Sequence, residues 1–289
     1  MNTMQLSDVK TIAICGAGTM GAGIAQLSAV AGYKTLLYDL NQAAVDKGFG
    51  IIKSNLETAV QKGKLDANAL VETLNRIALV TNVNELVCDV AIEAIIEKKD
   101  AKQQLFNALA NVNKPDAILA TNTSSIPIST IADGIPNAER VVGMHFFNPA
   151  HIMKLVEVIS GSETSAEASE SIFQLAKKFG KVAVRAKDRP GFIVNRIGKM
   201  YHTEPIKIVE DGVADVETVD ALLDGIGFKM GPFKLIDLIG VDANLNVTKS
   251  LYELMQQPQF EPSKLQQKMV DDGKLGRKSG KGFYDYKSS

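Results

Sequence analysis

The chain has 289 residues, of which 45% are hydrophobic and 22% are charged, and its formal net charge is -1. This composition is typical of a globular protein with one large domain or two smaller ones. The near-zero net charge gives no electrostatic reason to expect a nucleic acid or a membrane as a partner, although a local basic patch could bind a phosphorylated small molecule.

The N-terminal segment and the cysteines bear on the compartment. Met1 to Lys10 is polar and lacks the apolar core of a signal peptide, and no apolar run approaches the roughly 20 residues of a membrane span. Cys15 and Cys88 lack metal-site spacing, and they fall at opposite ends of predicted neighbouring strands, beyond the reach of a disulfide. We therefore expect a cytoplasmic protein with buried, reduced cysteines; a bacterial or an organellar source stays open.

The pattern that organises the chain lies near its start. An apolar run, Ile12 to Cys15, predicts a buried parallel strand that leads directly into Gly16-Ala-Gly18-Thr19-Met20-Gly21 and a helical pattern. In a dinucleotide site the first glycine permits a tight turn, the second lets the backbone approach a pyrophosphate, and the third lets helix and strand pack closely. The helix N-terminus then offers unpaired N–H groups to the phosphates.

A second predicted strand, Thr35 to Tyr38, ends at Asp39. A carboxylate about 20 residues after the glycine motif commonly binds the adenosine ribose, and an acid there repels the 2′-phosphate of NADP. The pattern therefore predicts NAD as the cofactor. The residues predicted to hold it are Gly16, Gly18, Thr19, Met20, Gly21 and Asp39. The alternative is a plain glycine turn with Asp39 as a helix cap.

The stretch from Gln42 to Arg76 has helical periodicity, and Gly63 and Asp66 predict a short turn between two helices. A helical pair is more than a minimal crossover between strands requires. Its lysines, Lys62 among them, are either an ordinary solvated face or a cationic rim for a phosphate-bearing substrate.

Strands and helices alternate up to about residue 186, which predicts an α/β fold of Rossmann type with a doubly wound, mostly parallel sheet. Lys187-Asp-Arg-Pro190-Gly191 then interrupts the pattern, and only helical segments follow. We expect an NAD-binding domain over residues 1–188 and an all-helical domain for substrate binding and dimerisation over residues 189–289. Its helices are predicted at about residues 192–210, 215–225, 239–256 and 262–272.

Ligands of open α/β sheets bind outside the carboxyl ends of the strands, and a histidine stands at one such end. His145 precedes two phenylalanines, and Glu157 lies inside the next apolar strand. A buried carboxylate needs a partner, and a returning strand could put Glu157 beside His145. Such a pair orients the imidazole and stabilises its charged form during proton transfer. The alternatives are a core histidine bonded to backbone and a solvent-facing acid at a strand edge.

Two further polar groups are candidates. The run Thr121-Asn122-Thr123-Ser124-Ser125 follows another buried strand, and it is either a polar turn with helix caps or a set of donors beside the reacting carbon. Asn195 lies on the first turns of the helix after Pro190. Its amide could point into a cleft between the domains, or it could be a capping or surface residue.

Six motifs, distributed over almost the whole chain, occur in an order and at spacings that are typical of a single protein family. They are Gly16-Ala-Gly-Thr-Met-Gly21, Asn122-Thr-Ser-Ser125, Gly143-Met-His-Phe-Phe-Asn-Pro149, Arg189-Pro-Gly-Phe-Ile-Val-Asn-Arg196, Met230-Gly-Pro-Phe-Lys-Leu-Ile-Asp-Leu-Ile-Gly240 and Gly276-Arg-Lys-Ser-Gly-Lys-Gly-Phe-Tyr-Asp-Tyr286. Together they resemble the L-3-hydroxyacyl-CoA dehydrogenases of fatty acid metabolism. Within that family the chain is most similar to the short, stand-alone bacterial 3-hydroxybutyryl-CoA dehydrogenases.

The resemblance implies an NAD-dependent oxidoreductase that interconverts a (3S)-3-hydroxyacyl-CoA of short chain, such as 3-hydroxybutyryl-CoA, and the 3-oxoacyl-CoA. His145 would be the catalytic acid and base, with Glu157 as its partner. Ser124 would bond the reacting substrate oxygen, and Asn195 would orient the substrate.

The resemblance also implies further contacts. Those with the cofactor fall on Glu93, Lys98, Asn122 and Lys278, and those with the acyl-CoA substrate fall on Asn55, Lys62, Ser124, Asn148 and Asn195. Asn55 stands where some members carry a coenzyme-A-binding serine. Members are usually dimers through the helical domain, so we expect a homodimer, and we expect no metal.

One segment departs from the family pattern. Members commonly continue with an apolar helix that leads to Asn-Glu-Ala, whereas this chain has Tyr201-His-Thr-Glu-Pro205-Ile206. Pro205 should kink or interrupt the helix, which leaves the acyl-chain preference open and keeps 3-hydroxyadipyl-CoA as an alternative substrate.

Two other functions stay open as alternatives. One is a dehydrogenase of a free hydroxy acid on the same fold, for which Lys62 would have no role. The other is a non-catalytic NAD-binding structural protein, which should lack at least one of the residues Ser124, His145, Glu157 and Asn195.

Overall fold

The structure is a computed structural model that describes residues 6–286. These residues form two compact units, which divide along the chain between Arg189 and Pro190. The first unit is an α/β unit, and the second contains helices and short 3₁₀ turns. The sequence places the boundary one residue earlier, after residue 188.

The first unit is built on a single sheet. Its strands are β1 (Thr11–Cys15), β2 (Lys34–Tyr38), β3 (Ile77–Val80), β4 (Val90–Glu93), β5 (Ile118–Thr121), β6 (Val141–Phe146), β7 (Leu155–Ser160) and β8 (Val182–Lys187). Within the described residues this sheet has eight strands in the order β3-β2-β1-β4-β5-β6-β7-β8. Every neighbouring pair is parallel except β6 and β7, which are antiparallel. The predicted doubly wound, mostly parallel sheet is confirmed.

The helices that connect successive strands pack against the sheet. They are α1 (Thr19–Val30), α2 (Gln42–Gln61), α3 (Ala67–Asn75), α4 (Lys99–Val112), α5 (Ile128–Ala132) and α6 (Ala166–Lys178). The predicted helical pair is α2 and α3. Gly63 adopts a φ of 65° between them, and the Asp66 side chain caps α3 by accepting from the Asn68 N–H.

The core of the first unit lies between the sheet and its helices. Ile12 and Ile14 of β1, Ile24 of α1, and Ile52 and Leu56 of α2 are buried in one cluster. The near-continuous apolar character of β1 is explained by burial on both faces of a parallel sheet.

Both cysteines are buried and unpaired, as predicted. Burial raises the pKa of the Cys15 thiol well above its usual value, and it raises the pKa of Cys88 to about 12. Both thiols are therefore protonated at neutral pH and act as small apolar side chains.

The second unit is helical. Its helices are α7 (Val194–Glu210), α8 (Val216–Gly225), α9 (Pro232–Ile239), α10 (Val241–Met255) and α11 (Lys264–Asp271). Their core contains Ile206, Val219, Phe233, Ile236 and Met269. The sequence prediction missed α9, although Pro232 stands at its first position, where the fixed φ and the missing N–H of proline suit a helix start.

Pro205 does not interrupt its helix, so that part of the prediction is wrong. The helix α7 runs from Val194 to Glu210 with Pro205 inside it. His202, Thr203, Pro205 and Ile206 are all buried. Packing of this face therefore outweighs the roughly 3 kcal/mol that proline costs in a helix interior.

Candidate active site

Side chains with the chemistry of a site meet at one edge of the sheet. Gly16 follows β1, Asp39 follows β2, Glu93 ends β4, Ser124 follows β5, and His145 is the next-to-last residue of β6. Since these strands are parallel neighbours, their carboxyl ends lie along the same edge, where ligands of open α/β sheets bind.

The glycine turn after β1 is shaped by the packing of the protein itself. Gly16 has a φ of 107°, and a Cβ there would lie 2.6 Å from the Ala94 carbonyl oxygen. A Cβ on Gly21 would lie 1.7 Å from the Gly16 carbonyl oxygen. These two positions therefore admit only glycine.

Gly18 differs from both of these glycines. A Cβ there would meet no protein atom within 4 Å, so the protein does not need glycine at this position for its own packing. Gly18 is the N-cap of α1 and gives that helix no side-chain cap. The first N–H groups of α1 therefore face open space, which is the arrangement that binds a pyrophosphate.

Asp39 ties the end of β2 to this turn. Its Oδ2 accepts a hydrogen bond of 3.0 Å from the Ala17 N–H. A carboxylate has about four acceptor positions, so the contact with Ala17 leaves capacity for the two hydroxyls of a ribose.

A cleft of about 720 Å³ opens between these groups. Five of the predicted cofactor residues line it, namely Gly16, Gly18, Thr19, Met20 and Asp39. Leu40 and Ile96 also line it and are 85% and 61% exposed. Large exposed apolar side chains beside a phosphate-binding turn offer a surface that an adenine ring would cover. The residues present therefore fit a dinucleotide.

Glu93, a predicted cofactor contact at the end of β4, lies in a buried charge cluster whose other charged members, Lys102 and Glu97, were not among the predicted site residues. Glu93 Oε1 accepts from Lys102 Nζ at 2.6 Å and from the Ile95 N–H at 2.7 Å, and its Oε2 accepts from Thr121 Oγ1 at 2.7 Å. Glu93 and Lys102 are both buried. Burial raises the pKa of Glu93 against the opposing effect of Lys102. Both oxygens of the Glu93 carboxylate are thus engaged by protein groups.

Glu97 extends this cluster to the loop after β5. Lys102 Nζ lies 3.1 Å from Glu97 Oε2. Glu97 Oε1 accepts from Thr123 Oγ1 at 2.6 Å, from the Ser124 N–H at 2.8 Å and from the Ser125 N–H at 3.1 Å. Burial acts to raise the pKa of Glu97, but Lys102 and the loop donors lower it overall. Glu97 therefore fixes the loop that carries Ser124.

A sequence signal for this cluster does exist. Lys102, Phe106 and Leu109 are the buried residues of α4, and their spacing is that of one helix face. A lysine at a position with core periodicity needs a buried acid, and two glutamates, Glu93 and Glu97, immediately precede the helix.

His145 and Glu157 form a buried pair. They are register partners across β6 and β7, and His145 Nδ1 lies 2.7 Å from Glu157 Oε2. An ionised carboxylate only accepts hydrogen bonds, so Nδ1 carries the proton and Nε2 is the ring nitrogen that can exchange one with a ligand. The Phe147 ring centroid is 4.6 Å from that of His145.

Asn122 links the strands around this pair. Its Oδ1 accepts a hydrogen bond of 2.8 Å from the Phe146 N–H, and its own N–H donates to the Glu93 carbonyl oxygen at 2.8 Å. The amide oxygen of Asn122 thus holds the end of β6. The predicted contact of Asn122 with the cofactor would therefore be made by its Nδ2 group.

The other predicted contacts of the first unit lie at its surface. Lys98 is exposed and is the N-cap residue of α4, and Lys62 is exposed at the end of α2. Asn148 is exposed after β6. Asn55 Nδ2 donates to Gln26 Oε1 at 3.1 Å. Asn55 is thus partly committed to a protein contact.

Asn195 and Lys278 belong to the second unit. Asn195 lies on the first turn of α7. Lys278 lies in a short 3₁₀ turn, Arg277–Ser279, and its Nζ donates to Asp242 Oδ2 at 2.7 Å. Their roles stay predictions. Over residues 6–286, no set of His, Cys, Asp and Glu side chains could hold a metal ion, and no helix is long and apolar enough to span a bilayer.

Two family models match the chain and together cover nearly all of it. Residues 11–189 match "3-hydroxyacyl-CoA dehydrogenase, NAD binding domain", and residues 191–286 match "3-hydroxyacyl-CoA dehydrogenase, C-terminal domain". The chain belongs to the 3-hydroxyacyl-CoA dehydrogenase family. The predictions of an NAD-dependent enzyme of this family and of NAD as its cofactor are confirmed.

Relatives from bacteria are similar over nearly the whole chain. A 3-hydroxyadipyl-CoA dehydrogenase of Escherichia coli is 46% identical over 98% of this chain, which spans 60% of that relative's length. A 3-hydroxybutyryl-CoA dehydrogenase of Clostridioides difficile is 42% identical over 95% of this chain and 99% of its own length. The crystal structure of (S)-3-hydroxybutyryl-CoA dehydrogenase from Ralstonia eutropha matches with a TM-score of 0.93 at 38% identity, over 97% of this chain and all of that one.

Proposed function

We propose that this chain interconverts a (3S)-3-hydroxyacyl-CoA of short acyl chain and the corresponding 3-oxoacyl-CoA, with NAD as the redox partner. The observation that carries the proposal is the buried pair of His145 and Glu157, at 2.7 Å, on the same sheet edge as the dinucleotide cleft. A proton acceptor and a hydride acceptor on one edge are what oxidation of a secondary alcohol requires.

His145 moves the proton. Its Nε2 takes the proton of the substrate 3-hydroxyl during oxidation and returns it during reduction. The Glu157 carboxylate, bonded to Nδ1, offsets the positive charge that then forms on the ring. General acid and base catalysis of this kind typically contributes about 10²–10⁴-fold.

Two side chains hold the substrate in this proposal. Glu97 holds the backbone of the Ser124 loop through the Ser124 N–H. The Ser124 hydroxyl donates to Glu97 Oε1 at 3.4 Å in the structure, and with substrate bound it donates to the reacting oxygen instead. Asn195, on the first turn of α7, orients the substrate with its amide.

NAD, when bound, supplies the acceptor for the hydride that leaves C3 of the substrate. The turn at Gly18 and the N-terminus of α1 hold its pyrophosphate, with Thr19 and Met20 at the helix start. Asp39 holds the adenosine ribose. The charge of Asp39 disfavours a 2′-phosphate, which explains a preference for NAD over NADP.

Lys62 holds the coenzyme A part of the substrate. The Lys62 ammonium is exposed at the end of α2 and makes no ion pair with the described residues, so it is available to a phosphate of coenzyme A. The names of the relatives indicate 3-hydroxybutyryl-CoA as the substrate class, and the name of the Escherichia coli relative indicates a second short chain that ends in a carboxylate.

We also propose a cytoplasmic homodimer that forms through the helical unit. Support comes from large apolar side chains that this unit exposes by itself, among them Leu222, Ile226, Leu238 and Ile239, each exposed to 48% or more. Exposed apolar side chains on a helical surface are typical of an interface.

The test is oxidation of NADH with acetoacetyl-CoA, beside free acetoacetate and beside NADPH. Rapid turnover of the thioester with NADH and little turnover of the free acid are the expected results, and His145→Ala should lose at least about 100-fold in kcat while keeping its affinity for NADH. Turnover of the free acid alone would support the hydroxy-acid alternative. Near-normal turnover by the variant would overturn the role of His145.

A further inference from the structure

A buried lysine of the first unit donates to backbone carbonyls instead of to an acid. Lys181 lies in the turn between α6 and β8 and is 7% exposed. Its Nζ donates to the Ala150 carbonyl oxygen at 2.6 Å and to the Met153 carbonyl oxygen at 2.8 Å. In the part of the chain that the structure describes, no carboxylate lies within ion-pair distance of Lys181. Burial lowers the pKa of Lys181, and the two carbonyl groups offset the cost of burying the ammonium.

Both carbonyl groups belong to the loop of residues 147–154, which joins β6 to β7. This loop therefore connects the strand of His145 to the strand of Glu157. The N–H groups of Ile152 and Met153 both donate to the Pro149 carbonyl oxygen, at 3.0 and 2.9 Å. Most side chains of the loop are exposed, so burial of apolar side chains contributes little to holding it in place.

The buried residue of this loop, Ala150, contacts the cofactor helix. Ala150 is 1% exposed, and a Cβ on Gly23 of α1 would lie 3.0 Å from the Ala150 Cβ. The Ala150 methyl group thus packs against α1, while the Ala150 carbonyl group is bound by Lys181. The Val182 N–H adds a bond of 2.7 Å to the Lys154 carbonyl oxygen. The loop is therefore fixed between α1 and the start of β8.

The first residues of the loop lie beside His145. The Phe147 ring centroid is 4.6 Å from that of His145, and the next residue, Asn148, is exposed and is a predicted substrate contact. Ala150 follows Phe147 by three residues. A shift of Ala150 would therefore move Asn148 and the aromatic ring that contacts the imidazole.

We propose that Lys181 is a positioning residue for the reaction: by binding the Ala150 and Met153 carbonyl groups it holds the loop of residues 147–154 against α1, and so holds Phe147 against His145. This inference rests on the proposed function, in which His145 moves the proton. Lys181 does not contact His145 and acts on it only through the loop. Because misplacement of a catalytic group by about 1 Å can cost 100-fold in rate, a loosened loop should slow the chemical step.

The experiment uses Lys181→Met, which removes the ammonium and keeps an unbranched apolar stem. We expect kcat with acetoacetyl-CoA to fall by at least about tenfold. NADH affinity, measured by fluorescence titration, should stay within twofold, because none of the described residues that line the dinucleotide cleft belongs to this loop. Hydrogen exchange followed by mass spectrometry should show faster exchange in peptides that cover residues 147–154.

Lys178→Met is the matched control. Lys178 is exposed three residues earlier, and its ammonium lies over the Tyr33 ring, 4.9 Å from the centroid. This variant should keep the wild-type kcat and the wild-type exchange of the loop. If Lys181→Met does not fold, Lys181→Gln, which is neutral and shorter, should give the same two effects to a smaller extent.

Three outcomes would overturn the proposal. They are a kcat within twofold of wild type in the folded Lys181 variant, an unchanged exchange of the loop, and an equal loss of kcat and NADH affinity, which would indicate general damage to the first unit. A wild-type chain that does not turn over acetoacetyl-CoA would overturn the proposed function instead, and the exchange of the loop would still show whether Lys181 holds it.

Discussion

His145 and Glu157 face each other across the only antiparallel junction between strands in the described sheet. Because β7 runs back against β6, a residue near the start of β7 reaches the edge where the parallel strands end. Glu157 therefore lies beside His145 at 2.7 Å. A parallel strand at this place would present its own carboxyl end at that edge and carry Glu157 away from the histidine.

The first prediction concerns this pair. In Glu157→Gln the imidazolium loses its counter-charge while a similar shape is kept. We expect kcat with acetoacetyl-CoA to fall by about 10²–10⁴-fold and the affinity for NADH to stay within twofold. Steady-state kinetics and NADH fluorescence titration measure the two effects. Glu163→Gln, at an exposed position after β7, is the control. A kcat within twofold of wild type would contradict the role of Glu157.

The second prediction concerns Glu97, whose Oε1 accepts hydrogen bonds from the loop that carries Ser124. Glu97→Gln exchanges a charged acceptor for a neutral amide and weakens contacts that each contribute about 1.5–3 kcal/mol. Since misplacement of a catalytic group by about 1 Å can cost 100-fold, we expect kcat/KM for the thioester to fall by roughly 10- to 100-fold. Exposed Glu85→Gln should leave kcat/KM unchanged. If Glu97→Gln also does so, the loop is held by other contacts.

The third prediction separates the glycines of the turn after β1. Gly18→Ala adds a methyl group that meets no protein atom within 4 Å, so we expect an unchanged Tm and a loss of at least about tenfold in NADH affinity because the methyl fills the phosphate position. Gly21→Ala adds one 1.7 Å from the Gly16 carbonyl oxygen. It should lower the free energy of unfolding by about 1–3 kcal/mol or more.

Thermal unfolding and NADH titration of both glycine variants decide this prediction. Full NADH affinity in Gly18→Ala would show that the phosphates lie elsewhere. A stable Gly21→Ala would show that the turn can move away from α1.

The fourth prediction concerns Lys102. Lys102→Met leaves the buried Glu93 without its cation, and removing one partner of a buried pair costs about 3–5 kcal/mol. The loss should depend on pH. In the variant the pKa of Glu93, already raised by burial, rises further because Lys102 no longer opposes that effect. The folded state then binds more protons than the unfolded state, so stability falls as pH rises from the unfolded pKa of Glu93 through its folded pKa.

Urea unfolding of Lys102→Met and wild type at pH 5 and pH 8 tests this. We expect the deficit of the variant to be smaller at pH 5. Adding Glu93→Gln to Lys102→Met should recover part of the stability at pH 8. A deficit independent of pH would show that lost packing, rather than the stranded carboxylate, dominates.

The fifth prediction concerns the cysteines. Burial raises the pKa of both thiols, so neither forms the reactive thiolate at pH 8. A disulfide reagent such as DTNB should label neither Cys15 nor Cys88 in the native protein and both in denaturant. Rapid labelling of the native protein would show that the structure around one of the two thiols opens readily.

The sequence by itself determined the local features. The glycine turn and the strand before it, the acid at the end of β2, the helical pair α2 and α3, and the change from alternating elements to helices all follow from residue type and spacing. Periodicity and turn chemistry act over a few residues, so they can be recognised without the rest of the chain.

Tertiary structure alone decided which distant groups meet. Lys102 lies on a core-facing position of α4, but only the packing of this helix against the sheet brings the Glu93 carboxylate, at the end of β4, within 2.6 Å of its Nζ. Pro205 opposes a helix locally, yet α7 continues because its buried face packs against the other helices. His202 of α7 contacts the Asn244 amide of α10, and Gln266 of α11, far along the chain, orients that amide by donating to its oxygen. These contacts arise from packing between elements, and no local pattern carries that information.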